Sequence, residues 1–337
     1  GAVLVAKLTL GALAQGDRWF GKYTRNPWDP EQGSSGSSAG SASAVAAGLV
    51  PFALGSETLG SILSPAERCG VTGLRPTFGR VSRDGCMTLS WTMDKIGPMC
   101  RSVEDAALVL DAIHGADGRD PTAANHPFAW PPTCDLRNLR VGYFRSDDEI
   151  APQERSELEM LGELGVKLVE IALPDELPVR PVALMLGVEA AAAFDDFARE
   201  GVEEGLNSWP ATFRRHQFTP AVEYLRAARV RTMLLERMER LMREVDLYVG
   251  GDDLAITNLT GHPSIRVPAG LRDGPRPTPT ALKFTGRLFG ESNLLAVAHA
   301  YQQATSWHLE RPPVERFLAE QEEAERTAEA EETKEGE

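Results

Sequence analysis

At 337 residues, 42% of them hydrophobic, the chain can bury a substantial core as one large domain or two smaller ones. Its net charge of −14 comes with no basic stripe of the kind that tracks phosphates, which argues against direct nucleic-acid binding. No apolar run reaches the ~18 residues that a membrane span needs, and the opening GAVLVA is too short for a signal-peptide core.

The segment GAVLVAKLTL reads as a buried strand running into a helix start. Because the chain opens on this apolar run without Met, an upstream segment is expected. Residues 11–32 are loop-like and end in the turn-rich RNPWDPEQG. From Gly33 to Ser43 the chain is almost wholly Gly, Ser and Ala, and it passes into the helix-compatible SASAVAAG, with Gly48 placed as a C-cap. VPFALGSET supplies a strand and a turn. SVEDAALVLDAIHG opens with a Ser-x-x-Asp cap and carries Ala106, Leu110 and Ile113 at helical spacing. A polar, Pro-rich surface loop follows. LRVGYF, residues 152–165 and VKLVEIALP then form a strand, helix and strand, a βαβ unit. Residues 182–245 hold long helical patterns, DLYVGGDD resumes strand character, and SNLLAVAHAYQQATSWH is the final helix. Such alternation predicts an α/β fold with a mixed or parallel sheet and loops of function at strand ends.

Four cysteines, Cys69, Cys86, Cys100 and Cys134, show neither CxxC pairing nor histidine at metal-ligand spacing. They read as buried small hydrophobes in a reducing, cytoplasmic compartment. Half of the net charge lies in residues 320–337, where nine glutamates stand against Arg326 and Lys334, so 313–337 reads as a solvated or frayed extension.

A Gly/Ser stretch by itself is as compatible with a flexible linker as with a site. Its neighbours decide otherwise. The run GSSAGSASAVAAGLVPFALGSETLGSILSPAERCGVTGLRPTFGRVSRDG resembles the amidase signature, and the likeness extends through TRNPWDP, MDKIGPMCRSVEDAALVLDAI, TNLTGHPSIRVPAG and GRLFGESNLL, from residue 1 to about residue 312. The resemblance implies an amidase-signature α/β fold with a mixed central β-sheet covered by helices on both faces. It implies a hydrolase that opens a carboxamide C–N bond on a Ser-Ser-Lys triad through an acyl-enzyme. Ser61 matches the nucleophile. Ser37, preceded by Gly36 and twenty-four residues upstream of Ser61, matches the serine that relays the proton. The base lysine would precede Gly1, since neither Lys7 nor Lys22 matches its position. The backbone amides of Thr58, Leu59, Gly60 and Ser61 are the oxyanion-hole candidates, with Ser38 and Glu57 in support.

Leu59 stands where the family has glycine, Glu57 where it has aspartate, and Leu63-Ser64 where it has an arginine and an apolar residue. Leu59 cannot take a positive φ cheaply, so the turn must use ordinary angles there. Losing an arginine beside the nucleophile removes the reason to expect acidic substrates. Ser34, Ser35 and Ser41 lie in the same loop and read as sources of turn hydrogen bonds and support for Ser37. Spacing leaves a Ser-His-Asp arrangement open, since such triads assemble across a fold, and His262 reads first as a turn residue before Pro263. The expected partner is a small-molecule amide, with no cofactor, metal or membrane, and a homodimer is compatible. An apolar pocket lined by the 182–245 helices would set the acyl preference. The alternatives are an amidotransferase A-type subunit releasing ammonia from glutamine, and an inactive binding protein on the same fold.

Overall fold

The computed structural model describes residues 1–144, 152–320, 322, 323 and 326. Eight strands form one sheet: β1 (Phe52–Glu57), β2 (Thr72–Arg75), β3 (Lys95–Cys100), β4 (Arg140–Phe144), β5 (Lys167–Ile171), β6 (Leu247–Val249), β7 (Ser264–Arg272) and β8 (Thr278–Gly286). Their spatial order is β1-β3-β2-β7-β8-β6-β4-β5. The β6–β4 and β4–β5 pairs are parallel and the other five antiparallel, so the sheet is mixed. The parallel end contains the expected βαβ unit, in which α4 (Pro152–Glu163) joins β4 to β5.

Helices cover both faces because the strands alternate. Ile265, Val267, Leu282 and Phe284 turn one way, toward α3 (Val103–Ile113), α4 and α9 (Glu291–Thr305). Ser264, Lys283 and Thr285 turn the other way, beneath α1 (Ala39–Ala46), α2 (Leu63–Cys69), α7 (Ala221–Glu244) and α8 (Leu254–Thr260). The start of α3 is capped as its sequence predicts, with the Ser102 side chain accepting from the Asp105 N–H. Cross-strand register then lays Tyr248, Thr285, Ser264 and Arg75 in one row over the sheet, on the face that carries α8. At the end of that row Gly142 lies opposite Tyr248, where a Cβ would come within 3.0 Å of the tyrosine Cβ.

Between β5 and β6 the chain leaves the sheet and makes a helical subassembly: Val179–Val182, α5 (Leu184–Ala193), Asp195–Glu200, α6 (Trp209–His216) and α7. Its apolar residues split between two clusters. One, with Met185, Leu234, Met238 and Met242, abuts the sheet, and the other stacks Phe194, Trp209 and Phe213 away from it.

Three sequence expectations change. Residues 1–11 form no strand, and Val3, Leu4 and Val5 are 82%, 90% and 71% exposed, because no strand among the described residues pairs with them. Strands β2, β3, β7 and β8 and helices α2 and α8 are not foreseen from sequence: Gly and Pro punctuate SILSPAERCGVTGLRPT, and the prolines of PTPTALKFTG and the polar TNLT mask an alternation that only its neighbours complete. Cys69 and Cys100 are buried, but Cys86 is exposed and Cys134 half-buried, being carried on loops. Residues 314–320 are helical, and most of the remaining acidic extension lies outside the described residues.

Candidate active site

Two buried serines lie on neighbouring segments at the β1 edge of the sheet. Ser61 follows β1 in a tight turn and Ser37 precedes α1, and they are 7% and 1% exposed. Ser38 ties their segments together. Its N–H donates to the Ser61 carbonyl (3.0 Å), while its Oγ donates to the Ser56 carbonyl and accepts from the Ser56 N–H, both at 3.0 Å. The Ser37 carbonyl accepts from the Gly11 N–H at 3.0 Å. The Gly36–Ser37 peptide is cis, and a Cβ on Gly36 would sit 1.8 Å from the Gly16 carbonyl oxygen. The Ser37 hydroxyl itself is buried without a hydrogen-bond partner among the described residues. Ser34 donates to the Ser35 carbonyl, a local turn bond, whereas Ser41 lies within α1 and donates to the Leu54 carbonyl, tying the helix to β1.

In the turn after β1 the positive φ falls on Gly60 (+93°), which leaves Leu59 at ordinary angles as its side chain requires. A Cβ at Gly60 would lie 3.0 Å from Ser64 Oγ and 3.1 Å from the Leu254 side chain, so α8 packs directly on the turn. Glu57 sets the rest of it. Its Oε2 accepts the N–H groups of Ile62 and Leu63 at 2.8 and 2.9 Å, the open first amides of α2. Those two donors are therefore taken by Glu57.

The other Glu57 oxygen accepts from Arg75 Nη1 (2.8 Å) and Asn258 Nδ2 (2.9 Å). Arg75 continues to the His262 carbonyl at 2.9 Å and to Ser264 Oγ at 2.7 Å. Ser264 meets Thr285, and Thr285 meets Asp253, whose carboxylate is also bound by Tyr248 and Lys283. A wholly buried arginine and glutamate are tolerated because both Glu57 oxygens and both terminal nitrogens of Arg75 find partners; an unpaired charge there would be costly. Burial alone would raise the Glu57 carboxyl, but Arg75 and Lys95 overcome it and hold it at about 2. Lys95, opposite Glu57 on β3, is lowered to about 7 by burial and by Arg75, against the pull of Glu57 and Asp94. Burial and Arg75 likewise hold His262 at about 3, a neutral ring bonded to Thr260 Oγ1 at 2.8 Å.

A second set of bonds joins this turn to the helices. Thr58 Oγ1 donates to Asp94 Oδ1 at 2.5 Å, and Asp94 Oδ2 takes the N–H groups of Leu89 and Ser90. Glu189, buried on α5, accepts from Ser90 Oγ (2.7 Å), from the Thr92 N–H and hydroxyl (3.0 and 2.7 Å) and from Tyr224 on α7 (2.8 Å).

The comparisons with known proteins agree on one family. A family model described as Amidase matches residues 1–250. The A-type subunit of the glutamyl-tRNA(Gln) amidotransferase of Chloroflexus aggregans is 36% identical over 94% of this chain and 76% of its own length. The chain belongs to the amidase family. Among solved structures, native peptide amidase from Stenotrophomonas maltophilia is 30% identical with a TM-score of 0.78, covering 93% of this amidase and 75% of that chain. The A-type subunit of the Thermotoga maritima glutamyl-tRNA(Gln) amidotransferase is 26% identical with a TM-score of 0.71, covering 90% and 74%. The mixed sheet clothed by helices is the fold these structures share.

Of the residues singled out from sequence, Gly36, Ser37, Ser38, Glu57, Thr58, Leu59, Gly60 and Ser61 converge in this amidase. Lys7 and Lys22 are exposed and stand apart from the serines' hydrogen bonds. The histidines are engaged elsewhere: His126 stacks on Phe289, His114 packs edge-on against Phe128, and His299 against Trp130. Sequence reasoning passed over Arg75, Asp94, Glu189, Asp253 and Asn258. Only the position of Arg75 at the end of an apolar strand run, GVTGLR, signals a buried charge.

Proposed function

We propose that this amidase cleaves a carboxamide C–N bond through an acyl ester on Ser61, with Ser37 carrying the proton. The observation that supports it most is the Ser37 hydroxyl: buried, without a partner among the described residues, and on the residue next to the one that bonds the Ser61 backbone. A serine hydroxyl both accepts and donates, so it can take the Ser61 proton while passing its own to a neutral base, the role that the family resemblance gives to a lysine. Ser61 Oγ then adds to the carbonyl carbon, and the oxyanion is met by the amides of the 58–61 turn. Collapse of the intermediate expels the amine, which takes up the relayed proton, and water releases the acid by the same steps in reverse.

The curated relatives are named as amidotransferase subunits, which favours one second reading: the amide opened is that of glutamine and the ammonia is handed to a partner protein. Ammonia release separates the two. Primary amides and glutamine are each incubated with the chain and with Ser61→Ala. Turnover of simple amides that falls at least ~10³-fold in the variant supports the first reading. Turnover confined to glutamine moves the second to the front, and hydrolysis that persists in Ser61→Ala removes both.

A further inference from the structure

Loop 89–94 presents one large side chain to solvent while every element around it is fastened. Leu89, Ser90 and Met93 are buried, yet Trp91 is 49% exposed. The backbone on both sides of it is bound by charged side chains. Asp94 Oδ2 accepts the Leu89 and Ser90 N–H groups at 2.8 and 2.9 Å, and Glu189 Oε2 accepts that of Thr92 at 3.0 Å. The carbonyl of Trp91 accepts from Arg83 Nη1 at 2.7 Å, that of Thr92 from Arg231 Nη2 at 2.7 Å, and that of Met93 from Lys95. A single exposed aromatic is ordinary on a protein surface. An indole on a loop clamped by five charged side chains from four parts of the chain is not, because the loop cannot relax to bury it. The same Asp94 is hydrogen-bonded to Thr58, three residues before Ser61, and Leu59 beside it is 37% exposed.

We propose that Trp91, with Leu59, forms the apolar lip of the acyl site, and that it selects amides whose acyl group is a chain of several carbons or an aryl ring over those with a short acyl group. The inference rests on Ser61 as the nucleophile. Contact with the indole face removes acyl methylenes from water, each worth about 0.8 kcal/mol when fully buried, so a partly covered chain of four extra methylenes gains roughly tenfold or more.

The test uses p-nitrophenyl acetate and p-nitrophenyl hexanoate, whose released p-nitrophenolate reports acylation, and reads the ratio of kcat/KM between the two esters. In Trp91→Ala that ratio is expected to fall about tenfold toward acetate, chiefly through KM for the hexanoate, and Trp91→Phe is expected to restore most of it. A ratio unchanged in Trp91→Ala overturns the proposal, as does an equal loss on both esters, which is what a merely structural tryptophan would produce. Ser61→Ala is run in parallel. If it releases p-nitrophenolate as fast as the wild type, the nucleophile assignment fails, an outcome distinct from an unmoved ester ratio.

Discussion

The sheet edge that carries Ser61 and the helical subassembly between β5 and β6 are held by different forces. Around the turn, Glu57, Arg75, Asn258, Ser264 and Thr285 form a buried hydrogen-bonded row across several strands. In the helices, apolar stacks such as Phe194, Trp209 and Phe213 carry the packing, and the polar ties to the rest include those of Glu189 and Arg231 to loop 89–94 and of Asn207 and Ser208 to Gln15. A polar row fixes geometry, since one missing partner leaves a buried charge unsatisfied. An apolar stack tolerates exchange of side chains at similar volume. Geometry is thus specified more strictly around the Ser61 turn than within the helical subassembly.

The sharpest way to break the comparison is Glu57→Ala. It strands Arg75 and the first amides of α2, and should cost about 3–5 kcal/mol in denaturant unfolding, with acylation lost at temperatures where the fold survives. A loss below about 1 kcal/mol would mean that the row is ornamental. Acid probes the same region. The folded-state values of Glu57 (about 2) and His262 (about 3) both lie below their ordinary ones, so the unfolded chain takes up these protons first. Stability should fall as pH drops from about 6.5 toward 3 on account of His262, and from about 4.5 toward 2 on account of Glu57. In a pH series of thermal melts, His262→Gln should flatten the upper part of that decline; an unaltered curve would mean that the ring is not held neutral by the fold.

The helical side calls for smaller effects. Tyr224→Phe removes one of the hydrogen bonds to Glu189 and should cost about 1 kcal/mol. It should raise KM for bulky substrates more than it lowers kcat, and a pure kcat effect would contradict the division drawn here. Smallest of all, Arg237→Ala breaks an ion pair with Glu176 that is largely open to water, and should move unfolding by at most about 0.5–1 kcal/mol in a denaturant titration.

How much of this could be read from sequence follows the same divide. The serine loop, the turn at Gly60 and the capped α3 are local, set by residues within a few positions of one another, and they are visible in the string. The row from Glu57 to Thr285 is not, because Arg75 bonds His262 and Ser264, 187 and 189 residues further on, and only strand register brings them together. The strand-like opening misled for a related reason: GAVLVA has the composition of a buried strand, but burial depends on a partner that composition does not name.

Gly36 lies so close to the Gly16 carbonyl that even a methyl group has nowhere to go. In a library randomised at that codon, active clones should all retain glycine, while Ser43, half-buried on α1, should accept many replacements. The stretch that most resembles a disposable linker would then be, in heritable terms, among the least negotiable parts of the gene.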